Sequence, residues 1–224
     1  MKKIILFFVV NFSLTLFCQE RLDLDYLASK YALSSFEGFK KLLSIPNDAN
    51  DKIGIEKNIE WTEMEFGKRG FKVSKIMTKG APLLLAKRGF TSKGKTVLVY
   101  LQMDGQPVDS TKWNQKNPYI PVLKKMNSSG DWVTLEWKEI YDYNDDWRIF
   151  ARSASDAKGP VSMFLAAIDA IDENGIAPNF NIKVILDFEE EMGSPNLPDA
   201  VKKNGELLNS DVLIILDGPR HRLN

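Results

Sequence analysis

The chain has 224 residues, 44% hydrophobic and 27% charged, enough for one sizeable domain or a domain with part of a second. That composition is ordinary for a globular protein and excludes a disordered chain or a membrane bundle. Thirty basic residues balance thirty acidic ones, so no net field favours nucleic acid or anionic lipid, and nucleic acid is not an expected partner.

Lys2 and Lys3 precede an almost unbroken apolar run from Ile4 to Phe17, after which Cys18-Gln19-Glu20 starts the polar chain. The run is too short for a permanent span, so residues 1–18 read as a signal peptide. Cleavage after Cys18 would export residues 19–224 to the periplasm or medium with no stable membrane span. A lipidated Cys18 is the alternative, which Phe17 fits poorly. Cleavage also removes the only cysteine, so any metal site must use carboxylates, amides and imidazole.

In the mature region, Ala32, Phe36, Phe39 and Leu43 recur at helical spacing and predict a first helix within 22–45, stopped by Pro46. A second helix is expected from Ile53 to Arg69, closing on Gly70. Short strands follow at 71–77, 82–86 and 96–103. Between Leu123 and Trp147 lies an irregular insert with Trp132, Trp137, Tyr141, Tyr143 and Trp147, read as a β-hairpin opened by Asn127 to Gly130. Its aromatics either pack on one another or wall a substrate cleft. A strand at 148–153 leads to a helix through Val161, Phe164, Leu165, Ile168 and Ile171. Asn181 to Phe188 and Val212 to Leu216 read as buried strands, joined by one helix over 197–208. This alternation predicts an α/β fold with a mixed, mostly parallel central sheet flanked by helices.

Three of these strands end on acid: Asp104, the Glu189-Glu190-Glu191 run, and Asp217. Ligands of open α/β sheets collect at the carboxyl ends of the strands. Asp156 stands just before a helix start. Any one such acid is more often a turn or cap residue, and Glu189 reads as solvated or supporting. Their coincidence points to a cation, which removes the mutual repulsion. Oxygen ligands alone suit magnesium or calcium as well as zinc, so spacing reaches no further than a metal-dependent hydrolase or phosphohydrolase. The phosphohydrolase reading lacks a nucleophilic Asp-x-Asp motif and a Gly-rich phosphate loop.

Five segments in order resemble the co-catalytic metallopeptidases of the carnosinase, carboxypeptidase G and aminoacylase group. They are Tyr100 to Pro107, Trp113 with Pro118-Tyr119, Ser155 to Gly159, Glu190 to Ser194, and Leu216-Asp217-Gly218. The resemblance implies the N-terminal part of a zinc-exopeptidase catalytic domain holding two divalent ions, zinc first, with cobalt or manganese as substitutes. It implies Asp156 as the bridging ligand, Glu191 and Asp217 as terminal ligands, and Glu190 as the general base. Asp104 would orient the first-strand ligand at position 102. It also implies a cis peptide after Asp156, and a small peptide or N-acyl amino acid as substrate.

The departures are specific. Gln102 stands where the family has histidine, a weaker zinc ligand than imidazole. Ala151-Arg152-Ser153 replaces Gly-Arg-Gly. The family's lid or dimerisation domain and its distal histidine are expected beyond Asn224, which leaves room for a homodimer through that domain and predicts an inactive chain by itself. His221, the only histidine, reads as an exposed tail residue rather than a stand-in ligand. A non-catalytic metal- or ligand-binding relative is the competing expectation.

Overall fold

The computed structural model describes residues 23–91 and 93–217. The signal-peptide reading of residues 1–18, Gly218 and His221 lie outside them. Among the described residues, no helix is long and apolar enough to cross a membrane.

Helix α1 spans Leu24–Leu43 and α2 spans Lys52–Lys68. Each starts on an aspartate side chain that accepts a backbone N–H, Asp23 from Tyr26 and Asp51 from Ile53. After α2 the chain reverses through Gly70, whose φ of 73° is readily adopted by glycine. The strands β1 (Lys72–Ile76), β2 (Leu83–Arg88) and β3 (Lys95–Gln102) follow. A small antiparallel sheet comes next, with β4 (Val122–Met126) between β5 (Trp132–Thr134) and β6 (Arg148–Phe150). The expected hairpin turn at Asn127 to Gly130 joins β4 to β5. The chain then forms α3 (Lys158–Glu173), β7 (Phe180–Asp187), α4 (Leu197–Lys203), α5 (Gly205–Leu208) and β8 (Val212–Ile215).

The main sheet has the order β1-β2-β7-β3-β8. It is mixed: β1-β2 and β2-β7 are antiparallel, whereas β7-β3 and β3-β8 are parallel. Side chains alternate across it. Leu84, Val99, Leu101, Val184 and Leu186 join the larger core with residues of α1, α2 and α3. Leu83, Leu85 and Ile185 point the other way, onto Ala200 of α4 and Leu208 of α5. Each such side chain, fully buried, contributes about 1.5–3 kcal/mol.

Two expectations need correcting. The helix over 197–208 is broken in two at Asn204 and Gly205, where Asn204 leaves helical geometry and glycine resumes it. Val212 to Ile215 is not a buried strand here: all four residues are exposed, because among the described residues β8 ends the sheet and pairs with β3 alone. Apolar composition reports a strand's affinity for burial, not what covers it.

Lys158, the first residue of α3, is fully buried. Its ammonium donates to the backbone carbonyls of Leu42 (2.9 Å) and Ile45 (2.6 Å), locking the C-terminal end of α1 to the start of α3. Burial pushes its pKa down to about 7. Lys158→Met keeps the stem but leaves those carbonyls without this donor, so urea unfolding should show a loss of about 2 kcal/mol. An unchanged midpoint would remove Lys158 as the α1–α3 lock.

Candidate active site

The parallel half of the sheet brings the carboxyl ends of β3, β7 and β8 to one edge, and the sequence places acids there. β3 ends at Gln102 and runs on to Asp104. β7 ends at Asp187 and turns through Glu189, Glu190 and Glu191, and β8 leads to Asp217. Asp156 arrives from the turn before α3. Its peptide bond to Ala157 is cis, as the resemblance implies.

Gln102 and Asp104 are buried, Glu190 and Glu191 half-buried, and Asp156 and Asp217 exposed. One oxygen of Asp104 accepts the backbone N–H of Glu191 at 3.0 Å, so the β3 end directly fixes the turn that carries the candidate base. The other Asp104 oxygen and Gln102 Oε1 are buried without a hydrogen-bond partner among the described residues. Burial raises the Asp104 pKa to about 7; the backbone N–H groups of Glu191 and Glu190 pull against that rise, and Asp187 adds to it.

The acids sense one another. The Asp156 carboxyl is pushed up by burial, then by the charges of Glu191 and Asp217, with Arg152 opposing. Glu190 is pushed up by burial, then by Glu191, Asp217, Asp156 and Asp187. Arg152 is held by its own backbone N–H on the Pro118 carbonyl (2.8 Å), and its guanidinium lies 5.4 Å from the Trp113 ring centre.

Three further polar residues hold this arrangement, two of which, Asp187 and Asn47, sequence reasoning passed over. Asp187 accepts from Tyr100 Oη (3.0 Å), Ser194 Oγ (2.7 Å) and the Glu189 backbone N–H (3.0 Å), clamping both ends of the glutamate turn. Asn47 is fully buried between α1 and α2 and donates to the Met103 carbonyl (2.9 Å) and Ser153 Oγ (3.0 Å). Its own carbonyl accepts from the Gly105 N–H at 2.7 Å. A Cβ on Gly105 would lie 2.4 Å from Ser153 Oγ, so only glycine permits this approach. Glu189, read from sequence as solvated or supporting, is buried and accepts from the Ala81 backbone N–H and the Asn196 side chain. An acid inside an apolar strand was the available signal for Asp187; nothing local marked Asn47.

The donors suit a cation in two respects. Among the described residues, two acceptor oxygens, on Gln102 and Asp104, are withdrawn from water without a donor, and the carboxylates of Asp156 and Glu190 feel like-charge repulsion that Arg152 opposes only at Asp156. Among the described residues, no three His, Cys, Asp or Glu side chains already stand in metal-holding geometry.

Residues 98–222 match peptidase family M20/M25/M40. The chain belongs to this family. It is 30% identical over 127 residues to the Cys-Gly metallodipeptidase dug1 of Schizosaccharomyces pombe, a stretch covering 56% of this chain and 22% of that protein. An M20 family metallo-carboxypeptidase, Sso-CP2 from Sulfolobus solfataricus, superposes with a TM-score of 0.65 at 30% identity over 81% of this chain and 37% of its own. Human carnosine dipeptidase 1 shares the fold, with a TM-score of 0.69 at 21% identity over 88% of this chain and 41% of its own. The matched region of this M20 chain thus spans well under half the length of each relative.

Because the Asp104 pKa is raised from 3.8 to about 7, the unfolded metal-free chain ionises first as pH rises. Asp104 therefore contributes stability that is fully present below pH 3.8 and is lost as pH rises through about 7. Urea midpoints measured across that window should fall less steeply in metal-free Asp104→Asn than in the parent. Identical slopes would show that Asp104 ionises as an ordinary surface carboxylate.

Proposed function

We propose that the polypeptide carrying this segment hydrolyses peptide or amide bonds of small substrates, dipeptides or N-acyl amino acids, with two divalent cations, zinc first, held at the carboxyl ends of β3, β7 and β8. The observation that carries this reading is the convergence of Asp156, Glu190, Glu191 and Asp217 into one field of mutual repulsion at that edge.

Asp156 is assigned as the bridging ligand, with Glu191 and Asp217 as terminal ligands. The bare Gln102 oxygen offers a neutral donor from the first strand, and Asp104 steadies that strand end and the glutamate turn. When bound, the cations would supply Lewis acidity, acidifying a shared water and polarising the scissile carbonyl. Glu190 takes the proton from the attacking water and delivers it to the leaving amine. Burial, the largest influence on its carboxyl, raises its proton affinity, the direction that favours a proton shuttle. Asp187, by clamping the turn on both sides, keeps the Glu190 backbone in register with β3.

One observation favours a second reading, a non-catalytic metal- or ligand-binding relative. Gln102 stands, buried, where the family resemblance expects imidazole, and an amide oxygen holds zinc less well.

Metal content and dipeptide hydrolysis of the full-length polypeptide separate the two. Glu190→Ala should keep its metal and lose about 10²–10⁴-fold in kcat. Gln102→His should tighten zinc binding. Undiminished hydrolysis in Glu190→Ala would end its assignment as base, and a metal-loaded parent that cleaves no dipeptide or N-acyl amino acid would favour the binding protein.

A further inference from the structure

Beyond Gln102 the ladder of the main sheet ends, and the loop between α1 and α2 takes over the task of holding the chain. Met103 still donates its N–H to the Asp187 carbonyl, at 2.9 Å. The backbone groups on either side of Asp104, the Met103 carbonyl and the Gly105 N–H, both go to Asn47. Its side-chain amide donates to the first at 2.9 Å, and its backbone carbonyl accepts from the second at 2.7 Å. Asp48 pairs in parallel with Gly105 as an isolated bridge, so this loop lies alongside the extension of β3.

The same amide reaches the other arm of the candidate site. Asn47 Nδ2 donates to Ser153 Oγ at 3.0 Å, and that hydroxyl returns a hydrogen bond to Asn47 Oδ1 at 3.3 Å. Ser153 stands three residues before Asp156, and its carbonyl accepts the Lys158 N–H at 3.0 Å across the turn that carries Asp156. The two hydrogens of Nδ2 are thus spent on two different segments. The loop itself is held at consecutive carbonyls: Lys158 Nζ donates to that of Ile45, and the fully buried Asn58 of α2 donates to that of Pro46 at 2.8 Å. Asn47 is also fully buried and its partners all lie among the described residues, so the junction needs no group from elsewhere in the polypeptide.

We propose that Asn47 is a positioning residue of the metal centre: one buried amide sets the separation between the end of β3, with Gln102 and Asp104, and the turn that delivers Asp156. The inference rests on the metal-dependent hydrolase reading of the carboxylates. Asn47 touches neither cation nor substrate in this assignment and acts through the two segments it joins. A cation tolerates little error in the spacing of its ligands, so loosening this link costs metal affinity beyond any general loss of stability.

Zinc affinity by calorimetry and the visible absorption of the cobalt-loaded form, which reports ligand geometry, test this on the full-length polypeptide. Asn47→Ala should bind zinc at least about tenfold more weakly than the parent and change the cobalt spectrum. Ser153→Ala removes a single hydroxyl and breaks only the link to the Asp156 turn, so it should keep the parent's fold and lose zinc affinity in the same direction. Arg69→Met unties α2 from Asp169, near the far end of α3, and should lower the urea midpoint while leaving both metal readouts at parent values. Parent-like affinity and spectrum in Ser153→Ala or in folded Asn47→Ala would overturn the proposal. So would a loss in Arg69→Met as large as in Asn47→Ala, because Asn47 would then act through stability alone. A parent that binds zinc and cleaves no amide would overturn the hydrolase reading and leave the positioning role to stand or fall on the metal readouts; a parent that binds no divalent ion would overturn both.

Discussion

Like charges repel, and the parallel half of this sheet forces them together. Two carboxylates 4 Å apart at an effective dielectric constant of about 20 repel by about 4 kcal/mol. A single hydrogen bond returns about 0.5–1.5 kcal/mol net, too little to hold such a pair by itself. The acids at this edge are therefore kept together by the scaffold. β7 and β8 flank β3 in parallel register, so their last residues must emerge side by side. The larger core fixes the sheet against α1, α2 and α3, and the Lys158 ammonium ties α3, which follows Asp156, to the end of α1. Proton affinities raised first by burial at Asp104, Asp156 and Glu190, and then by neighbouring carboxylates, are in keeping with that enforced proximity.

The supporting polar residues make the enforcement specific. Asp187, Asn47 and the Glu191 N–H bonded to Asp104 each connect two strand ends or a strand end and a turn. Each is buried or nearly so, where a missing partner is expensive and a satisfied one selects a single geometry. The glutamate turn is held from β3 through Tyr100 and Asp104 and from its own strand through Asp187, so Glu190 has little freedom to drift from the edge.

Much of this was legible in the sequence because its causes are local. Pro46 after α1, Gly70 after α2, and the Asn127 to Gly130 turn act within a few residues of the elements they bound. The acids at strand ends were visible because α/β sheets place ligands there. What stayed hidden depends on distant partners. The exposure of Val212 to Ile215 is decided by the absence of a strand beyond β8 among the described residues, not by their own apolarity. Glu189 read as solvated or supporting, and which of the two holds depended on partners in other elements, Ala81 and Asn196. Asn47 gave no signal, since its role exists only once Met103, Gly105 and Ser153 have come to it.

The two departures from the family pattern separate along the same line. Ser153 replaces a glycine at a φ of 60°, where a side chain costs energy, yet its hydroxyl exchanges hydrogen bonds with buried Asn47. That substitution has a compensation inside the fold and leaves the edge intact. Gln102 has none: its side-chain oxygen is buried beside the acids with no donor supplied by the described residues. The fold thus satisfies one departure and leaves the other bare, at the end of β3 beside a second unpartnered oxygen, on Asp104. On the proposed metal-dependent reading, an oxygen in that position would gain most from a cation and least from packing, which makes Gln102 the residue whose exchange for histidine tests that reading most directly.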